Sequence, residues 1–258
     1  NVKYLFYVLK SQQDRLMKLR SGACMPNIKK GDLGNFEICF DDDKTEQEKI
    51  VSILDRIERI IQMRKQQLSA LDDLIKSRFV EMFGDPKLND KGWNTISLLE
   101  TLEIGASVSY GIVQTGNDLE DGVPVFRPVD IASGHIPRRE ELKCTAQDIS
   151  DKYARTLLKG YELLITVRGS VGETFQVTNE FEGCNVGRNI VPLRFDTEVV
   201  RYKYMEQFFA QKGTKKVLAD MTKGIALQGL NMSEFREIRV PIPPIGVQDA
   251  FCDFAYKV

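Results

Sequence analysis

From Thr45 to about Phe83 the chain carries neither glycine nor proline, and apolar residues return at Ile50, Leu54, Ile57, Ile61, Leu68, Leu71, Ile75 and Met82. The steps alternate between four and three; Arg64 and Arg78 interrupt the series, and Ile53, Ile60 and Phe79 widen the stripe. Such spacing lays side chains along one face of an α-helix, so it predicts one heptad-patterned (coiled-coil) helix, on the order of 55 Å long at about 1.5 Å per residue. A helix of that length projects from an average domain. The expectation is a spacer whose seam packs on a partner helix, with a long core helix inside one domain as the competing reading. The segment FGDPKLNDKGW (Phe83 to Trp93) ends it, because Gly84 suits a C-terminal cap and Pro86 cannot continue a helix.

Around this helix the chain repeats itself. Residues 4–50 run in register with residues 206–251: at an offset of roughly two hundred, Gly22 falls on Gly224, Leu33 on Phe235, Phe36 on Ile238, Ile38 on Val240 and Phe40 on Ile242. After a one-residue shift, Gln47 falls on Gln248. A shared run of apolar spacings that ends at a Gln opening a helix points to a duplicated unit, here cut unevenly. Two similar modules on one spacer suit a target in two parts, as in DNA recognition, where module spacing fixes half-site spacing. The repeat by itself does not name the target.

A chain of 258 residues, 42% hydrophobic, is long for one domain and short for three, which fits one full domain plus parts. Charged residues make up 28% but leave a net charge of -1, which argues against a non-specific nucleic-acid coat and less against a reader with its basic groups on one face. Cys24, Cys39, Cys144, Cys184 and Cys252 include no pair two residues apart, so neither a zinc site nor a disulfide framework is expected; they read as reduced thiols of a cytoplasmic protein. His135, the single histidine, excludes any site needing two imidazoles. No apolar run approaches a membrane span and the N-terminus lacks signal-peptide order. Beginning at Asn1 without Met, inside a repeat unit, the chain is expected to be a fragment.

From Trp93 to Pro244 the pattern turns to short strands bounded by Gly and Pro, in VPVFRPVDI, GYELLITVRGSVG and NIVPLRF. Helical spacing returns in VVRYKYMEQFFAQKGTKKVLADM, and FREIRVPIPP closes with strand-like alternation. The predicted class is α+β: a mixed α/β domain of about 150 residues attached to the long helix.

The order VPVFRPVDIASGHI, then LLKGYELLITVRGSVGETFQV, then TKGIALQGLNMSEFREIRVPIPPIGVQDAF resembles a target recognition domain of the specificity subunit (HsdS) of type I restriction-modification systems. The helix from KTEQEKIVSIL to SRFVEMFG is similar to the spacer that follows each such domain. The resemblance covers nearly the whole chain. It implies that residues 1–45 are the end of a first recognition domain, 46–83 the spacer helix, 84–245 a complete recognition domain and 246–258 the start of a second helix. Two departures stand out: CFDDD replaces PIPP before the helix in the first copy, and Gly160-Tyr161 stands where the family has Gly-Asp before its LLIT strand.

The resemblance also implies function in bacterial or archaeal defence without catalysis by this chain. Each recognition domain reads one half of a bipartite double-stranded DNA site, and the helices set the gap. Methyltransferase (M) subunits dock on the assembly and use S-adenosylmethionine; an ATP-driven restriction (R) subunit cleaves DNA. No cofactor is expected on this chain. Its residues agree: there is no Asn-Pro-Pro-aromatic motif, no Gly-Lys-Ser/Thr phosphate loop, and one remote histidine. A fragment of a combined restriction and methylation enzyme, and a helical scaffold without DNA preference, are the alternatives. Two copies could also pair through the long helices as a homodimer.

Base edges are read by Arg at guanine and by Asn or Gln at adenine, and phosphates take Lys, Arg, Ser, Thr and backbone N–H groups. Glycine-rich loops carrying those groups are the candidates. VRGSVG offers Arg168 and Ser170; GASVSYGIVQTG offers Ser107, Tyr110 and Gln114, with Ser109 and Thr115; NVGRNI offers Arg188 and Asn189. Ordinary solvated turns would look the same. TKGIALQGLN offers Lys223, Gln228 and Asn231, where the first copy has Ser21, Pro26 and Lys29, keeping the apolar spacing while the polar groups change. Lys215 and Lys216, with Lys212, are candidate phosphate contacts, or a solvated helix face.

Overall fold

The computed structural model describes residues 1–21, 27–132, 137–223 and 229–258. His135, Gln228, Cys24 and the paired Gly22 and Gly224 lie outside the described residues. The chain divides into two units, Asn1–Leu71 and Asp72–Val258, with one helix passing through both.

In the first unit Asn1 Oδ1 accepts from the N–H groups of Lys3 and Tyr4 at 3.1 and 3.3 Å, capping α1 (Val2–Ser11). Short helices α2 (Gln13–Met17) and α3 (Lys30–Gly34) follow, then α4 (Lys44–Phe83), whose 40 residues run unbroken as the absence of Gly and Pro predicts. Asp43 Oδ1 accepts from Thr45 N–H at 2.8 Å at its start, and Glu46 adds a favourable negative charge to its first turn. Polar contacts join α1 to α4: Lys3 and Tyr7 both reach Asp55, at 2.6 and 2.8 Å, and Lys10 pairs with Glu58. Among its described residues this unit buries only Gln47 and Val51. Ile57, Ile61, Leu68 and Leu71 remain 38 to 63% exposed, so the heptad seam predicted from the sequence is open along this stretch, while Ile50 and Leu54 are half-buried.

The last turns of α4 behave differently. Phe79 and Phe83 are buried in the core of the second unit, and Ile75 and Met82, two of the predicted seam residues, pack against that core. Seam spacing continues, but this end of the helix belongs to its own domain. Gly84 ends it at φ +80°, its N–H donating to Val80 O at 2.8 Å; a Cβ there would lie 1.9 Å from Asp90 Oδ1. Trp93 Nε1 satisfies the Phe83 carbonyl at 3.0 Å.

The second unit continues with β1 (Thr95–Ser97), β2 (Val123–Phe126), α5 (Pro128–Ala132), β3 (Lys143–Thr145), α6 (Gln147–Asp151), β4 (Leu163–Thr166), β5 (Thr174–Gln176), β6 (Asn185–Val186) and β7 (Ile190–Leu193). After them come α7 (Tyr202–Ala210), α8 (Lys212–Asp220), β8 (Thr222–Lys223), β9 (Gly229–Leu230), α9 (Met232–Arg236), β10 (Arg239–Pro241) and α10 (Ile245–Lys257). One sheet has the order β5-β4-β7, all antiparallel; a second has the order β3-β2-β6, with β2 and β6 parallel. The β5-β4-β7 sheet separates two cores. Side chains alternate across a strand, so Leu163, Ile165, Val191 and Leu193 join the core of Phe79, Tyr204, Phe209 and Phe251, while Leu164 and Ile190 join that of Phe126, Phe181 and Val186. Both faces of β4 are therefore apolar, which is why LLIT reads as a continuous run.

Phe251 on α10 meets Phe79 and Phe83 edge-on at 5.5 and 5.4 Å, and Arg78 lies over the Phe254 ring at 5.7 Å. The end of α4 thus packs on α10, and on α7 as well, where Tyr204 lies 5.3 Å from Phe79 and 4.9 Å from Phe83.

The internal repeat is structural. The series α1, α2, the Ser21–Asn27 bridge, α3, α4 in the first unit recurs as α7, α8, the β8–β9 pair, α9, α10 in the second. Tyr4 OH accepts from Asp41 N–H at 3.2 Å, and Tyr204 OH donates to Pro241 O at 2.7 Å. Gln47 and Gln248, equated from the sequence, each donate a side-chain N–H to the segment just before their helix, at 2.5 Å to Asp41 O and 2.9 Å to Pro243 O.

Candidate nucleic-acid interface

The β4–β5 hairpin turns through Arg168, Gly169 and Ser170. Gly169 and Gly172 have φ of +78° and +86°, a region that favours glycine, and Thr166, buried at the hairpin's base, donates its hydroxyl to Ser170 O and accepts from Glu173 N–H at 3.0 Å. The turn Gly187-Arg188-Asn189 links β6 to β7, closed by Ile190 N–H to Gly187 O at 3.0 Å. Val167 N–H donates to Asn189 O at 2.8 Å and Leu230 N–H to Val167 O at 2.9 Å, tying the hairpin to both this turn and β9.

The segment around Tyr110 is laid against the same turn. Ile112 N–H donates to Val186 O at 2.8 Å, and the chain passes so close that a Cβ on Gly111 would sit 1.9 Å from that carbonyl oxygen. Val108 and Ile112 are buried, Arg236 Nη2 holds Val108 O at 2.7 Å, and Tyr110 OH donates to Leu230 O at 3.2 Å.

The result is an open depression of about 210 Å³ lined by Tyr110, Val113, Arg168, Arg188 and Asn189. Four of these five are candidates from three different loops, and the fold brings them together. Among the described residues no carboxylate or carbonyl pairs with Arg168 or Arg188. By contrast Arg127, Arg194 and Arg201 are committed to Asp130, Glu162 and Asp249. Two unpaired guanidiniums beside an amide and two apolar walls form a donor-rich surface able to meet base edges or phosphates.

The other candidates lie elsewhere. Ser170 is exposed at the hairpin tip; Ser107 Oγ lies 3.2 Å from Ser109 Oγ in the segment leading to Tyr110; Gln114 is exposed just past Val113. Lys215 forms an exposed ion pair with Glu173 at 3.0 Å, and Lys216 is exposed. The backbone of Lys223 pairs with Gly229 in β8–β9. Asn231 is committed internally: it caps α9 by accepting from Ser233 N–H at 3.1 Å, and its amide donates to Glu234 at 3.1 Å.

Two features escaped the sequence reading. Val113, 51% exposed, supplies an apolar wall that no polar motif marks. At the other end of β4, Glu162 is fully buried, accepting from the N–H groups of Lys159, Gly160 and Tyr161 at 2.7, 3.1 and 3.1 Å and from Arg194 Nε at 2.8 Å. Arg194 also donates to Leu157 O at 2.6 Å. The acidic residue before the LLIT strand is therefore present one place later than Gly160-Tyr161 suggested, and it anchors β4 to β7. Among the described residues no cluster of His, Cys, Asp and Glu could hold a metal, and no helix is long and apolar enough to cross a membrane. Cys184 and Cys252 are buried, which pushes both thiols up to about 11.

The chain is 22% identical over 210 residues to the type I restriction enzyme EcoBI specificity subunit of Escherichia coli, a match spanning 81% of this chain and 44% of that protein. It thus spans about half the length of the curated relative it matches. The type I restriction-modification S subunit from M. genitalium superposes over 100% of this chain and 65% of its own, with a TM-score of 0.50 and 20% identity, a likeness of fold. The HsdS subunit from Thermoanaerobacter tengcongensis covers 99% of this chain and 61% of its own, with a TM-score of 0.49 and 20% identity. Residues 1–72 and 90–254 match the family model for the type I restriction modification DNA specificity domain, and the chain belongs to that family.

Proposed function

We propose that this chain is a non-catalytic DNA-recognition component of a type I restriction-modification complex, reading one half of a bipartite double-stranded site. The observation that carries the reading is the convergence of Tyr110, Arg168, Arg188 and Asn189, from three loops, on one depression whose arginines have no carboxylate partner among the described residues. Guanidiniums held apart from internal acids keep their donors for an external acceptor, and DNA base edges and phosphates are such acceptors.

In this reading residues 84–245 form the recognition domain, 46–83 the spacer, 1–45 the end of a first recognition domain and 246–258 the start of a second helix. The open seam at Ile57, Ile61, Leu68 and Leu71 supplies apolar area for methyltransferase subunits or a second copy of this chain. S-adenosylmethionine and ATP are used by partner subunits, in the cytoplasm where the DNA is.

Selection from a randomised duplex pool at about 150 mM salt, with and without methyltransferase subunits from the same source, tests this. Enrichment of one short motif, or of two inverted copies at fixed spacing, is the expected result. No enrichment with the partners present would reject the reading.

A further inference from the structure

Resting on that half-site reading, we infer that the half-site contains guanine and that Arg168, seated against Gly229, reads it in the major groove. The hydrogen-bonding groups of the depression are lopsided. Arg168 and Arg188 only donate, Asn189 brings one amide, and among the described residues no Asp or Glu lines the surface. Guanine is the base whose major-groove edge presents two acceptors, N7 and O6. Adenine presents one acceptor and one donor, cytosine a donor that would need a carboxylate opposite it, and thymine one acceptor beside a methyl. A guanidinium fork finds both its partners on guanine.

The setting favours a base edge over a phosphate. Arg168 is half-buried, and its guanidinium lies where a side chain on residue 229 would be: a Cβ on Gly229 would sit 2.8 Å from Nε, 3.3 Å from Nη2 and 3.4 Å from Cζ. The backbones of Arg168 and Gly229 form a β-bridge, and Val167 is hydrogen-bonded on both sides, so the fork is aimed before DNA arrives. Tyr110 and Val113 wall the depression with apolar surface, which a hydrated phosphate gains nothing from and a base edge tolerates. Phosphates need no such aim; an exposed lysine such as Lys216 suits them.

The test uses the full chain and the duplex it retains from a randomised pool. Affinity is measured for that duplex, for versions with 7-deazaguanine replacing each guanine in turn, which removes the N7 acceptor, and for Arg168→Ala and Gly229→Ala. The expected motif contains guanine, and one 7-deaza position weakens the parent at least about fivefold. At that position both variants no longer distinguish the two bases; Gly229→Ala keeps the charge and displaces only the fork. The duplex series needs the parent alone, so it stands whatever the variants' stability. A motif without guanine, insensitivity to 7-deazaguanine throughout, or undiminished sensitivity in Arg168→Ala overturns this inference and leaves half-site reading intact. Retention of no motif overturns both.

Discussion

Val167 donates its N–H to the carbonyl of Asn189 at 2.8 Å, making the hairpin after β4 and the turn before β7 a single piece of backbone. Leu230 extends it by donating to Val167 O, and Ile112 adds the Tyr110 segment through Val186 O. The side chains of the depression thus stand on segments whose separations are fixed by main-chain hydrogen bonds. Side-chain identity at Arg168, Arg188 and Asn189 can change without changing that frame, which suits a surface whose polar groups set its preference.

Gly111→Ala tests the frame. The added Cβ must displace Val186 O, a backbone atom that cannot swing aside. Cost on the order of 1–3 kcal/mol in urea unfolding is expected, together with loss of base preference, because Tyr110 and Val113 move. Parent-like stability and preference would show that the segment has another place to go.

Arg194→Ala strips the buried Glu162 of its charge partner while three backbone N–H groups remain. Breaking a buried pair of this kind costs on the order of 3–5 kcal/mol, measured by denaturant midpoint. A loss below about 1 kcal/mol would mean that the backbone donors alone satisfy the carboxylate.

For Asn231→Ala, stability should fall by about 1 kcal/mol with base preference unchanged, because the side chain is spent on the α9 cap. A changed preference in the selected DNA motif, with stability intact, would return Asn231 to the reading surface.

The long helix should divide at its middle. Phe79→Ala removes a fully buried ring that contacts Tyr204 and Phe251, and should cost on the order of 3–5 kcal/mol. Leu68→Asp, at a residue 63% exposed, should cost less than about 1 kcal/mol and instead abolish co-purification with methyltransferase subunits. Equal stability losses would make both ends of the helix core.

These contrasts show what the sequence carried. The helix and its Gly84 stop were legible because local rules set them: no breaker through the 40 residues of α4, then a residue free to take positive φ. The apolar run LLIT was legible as a strand, and the two cores on either side of it explain why the run is continuous. Arg168 and Arg188 were legible as glycine-flanked polar groups, though nothing local said that they share one depression. The α9 cap that engages Asn231 had a local sign, since Asn231 with Glu234 three residues on is a helix-start pattern. Glu162 with Arg194, and Lys215 with Glu173, pair across long stretches of chain and left no periodicity to read. Ile75 and Met82 fit the seam as well as Leu68 does; only the core gathered by α7, α10 and the sheet assigns them to a domain.

The central claim is that this depression reads DNA sequence. The most direct test compares binding of the retained duplex and a scrambled duplex, at about 150 mM salt, by the parent chain and by a variant carrying both Arg168→Ala and Arg188→Ala. The account predicts at least about a tenfold preference in the parent and its loss in the double variant, with weak binding of both duplexes remaining. A double variant that keeps the parent's preference would place the reading surface elsewhere.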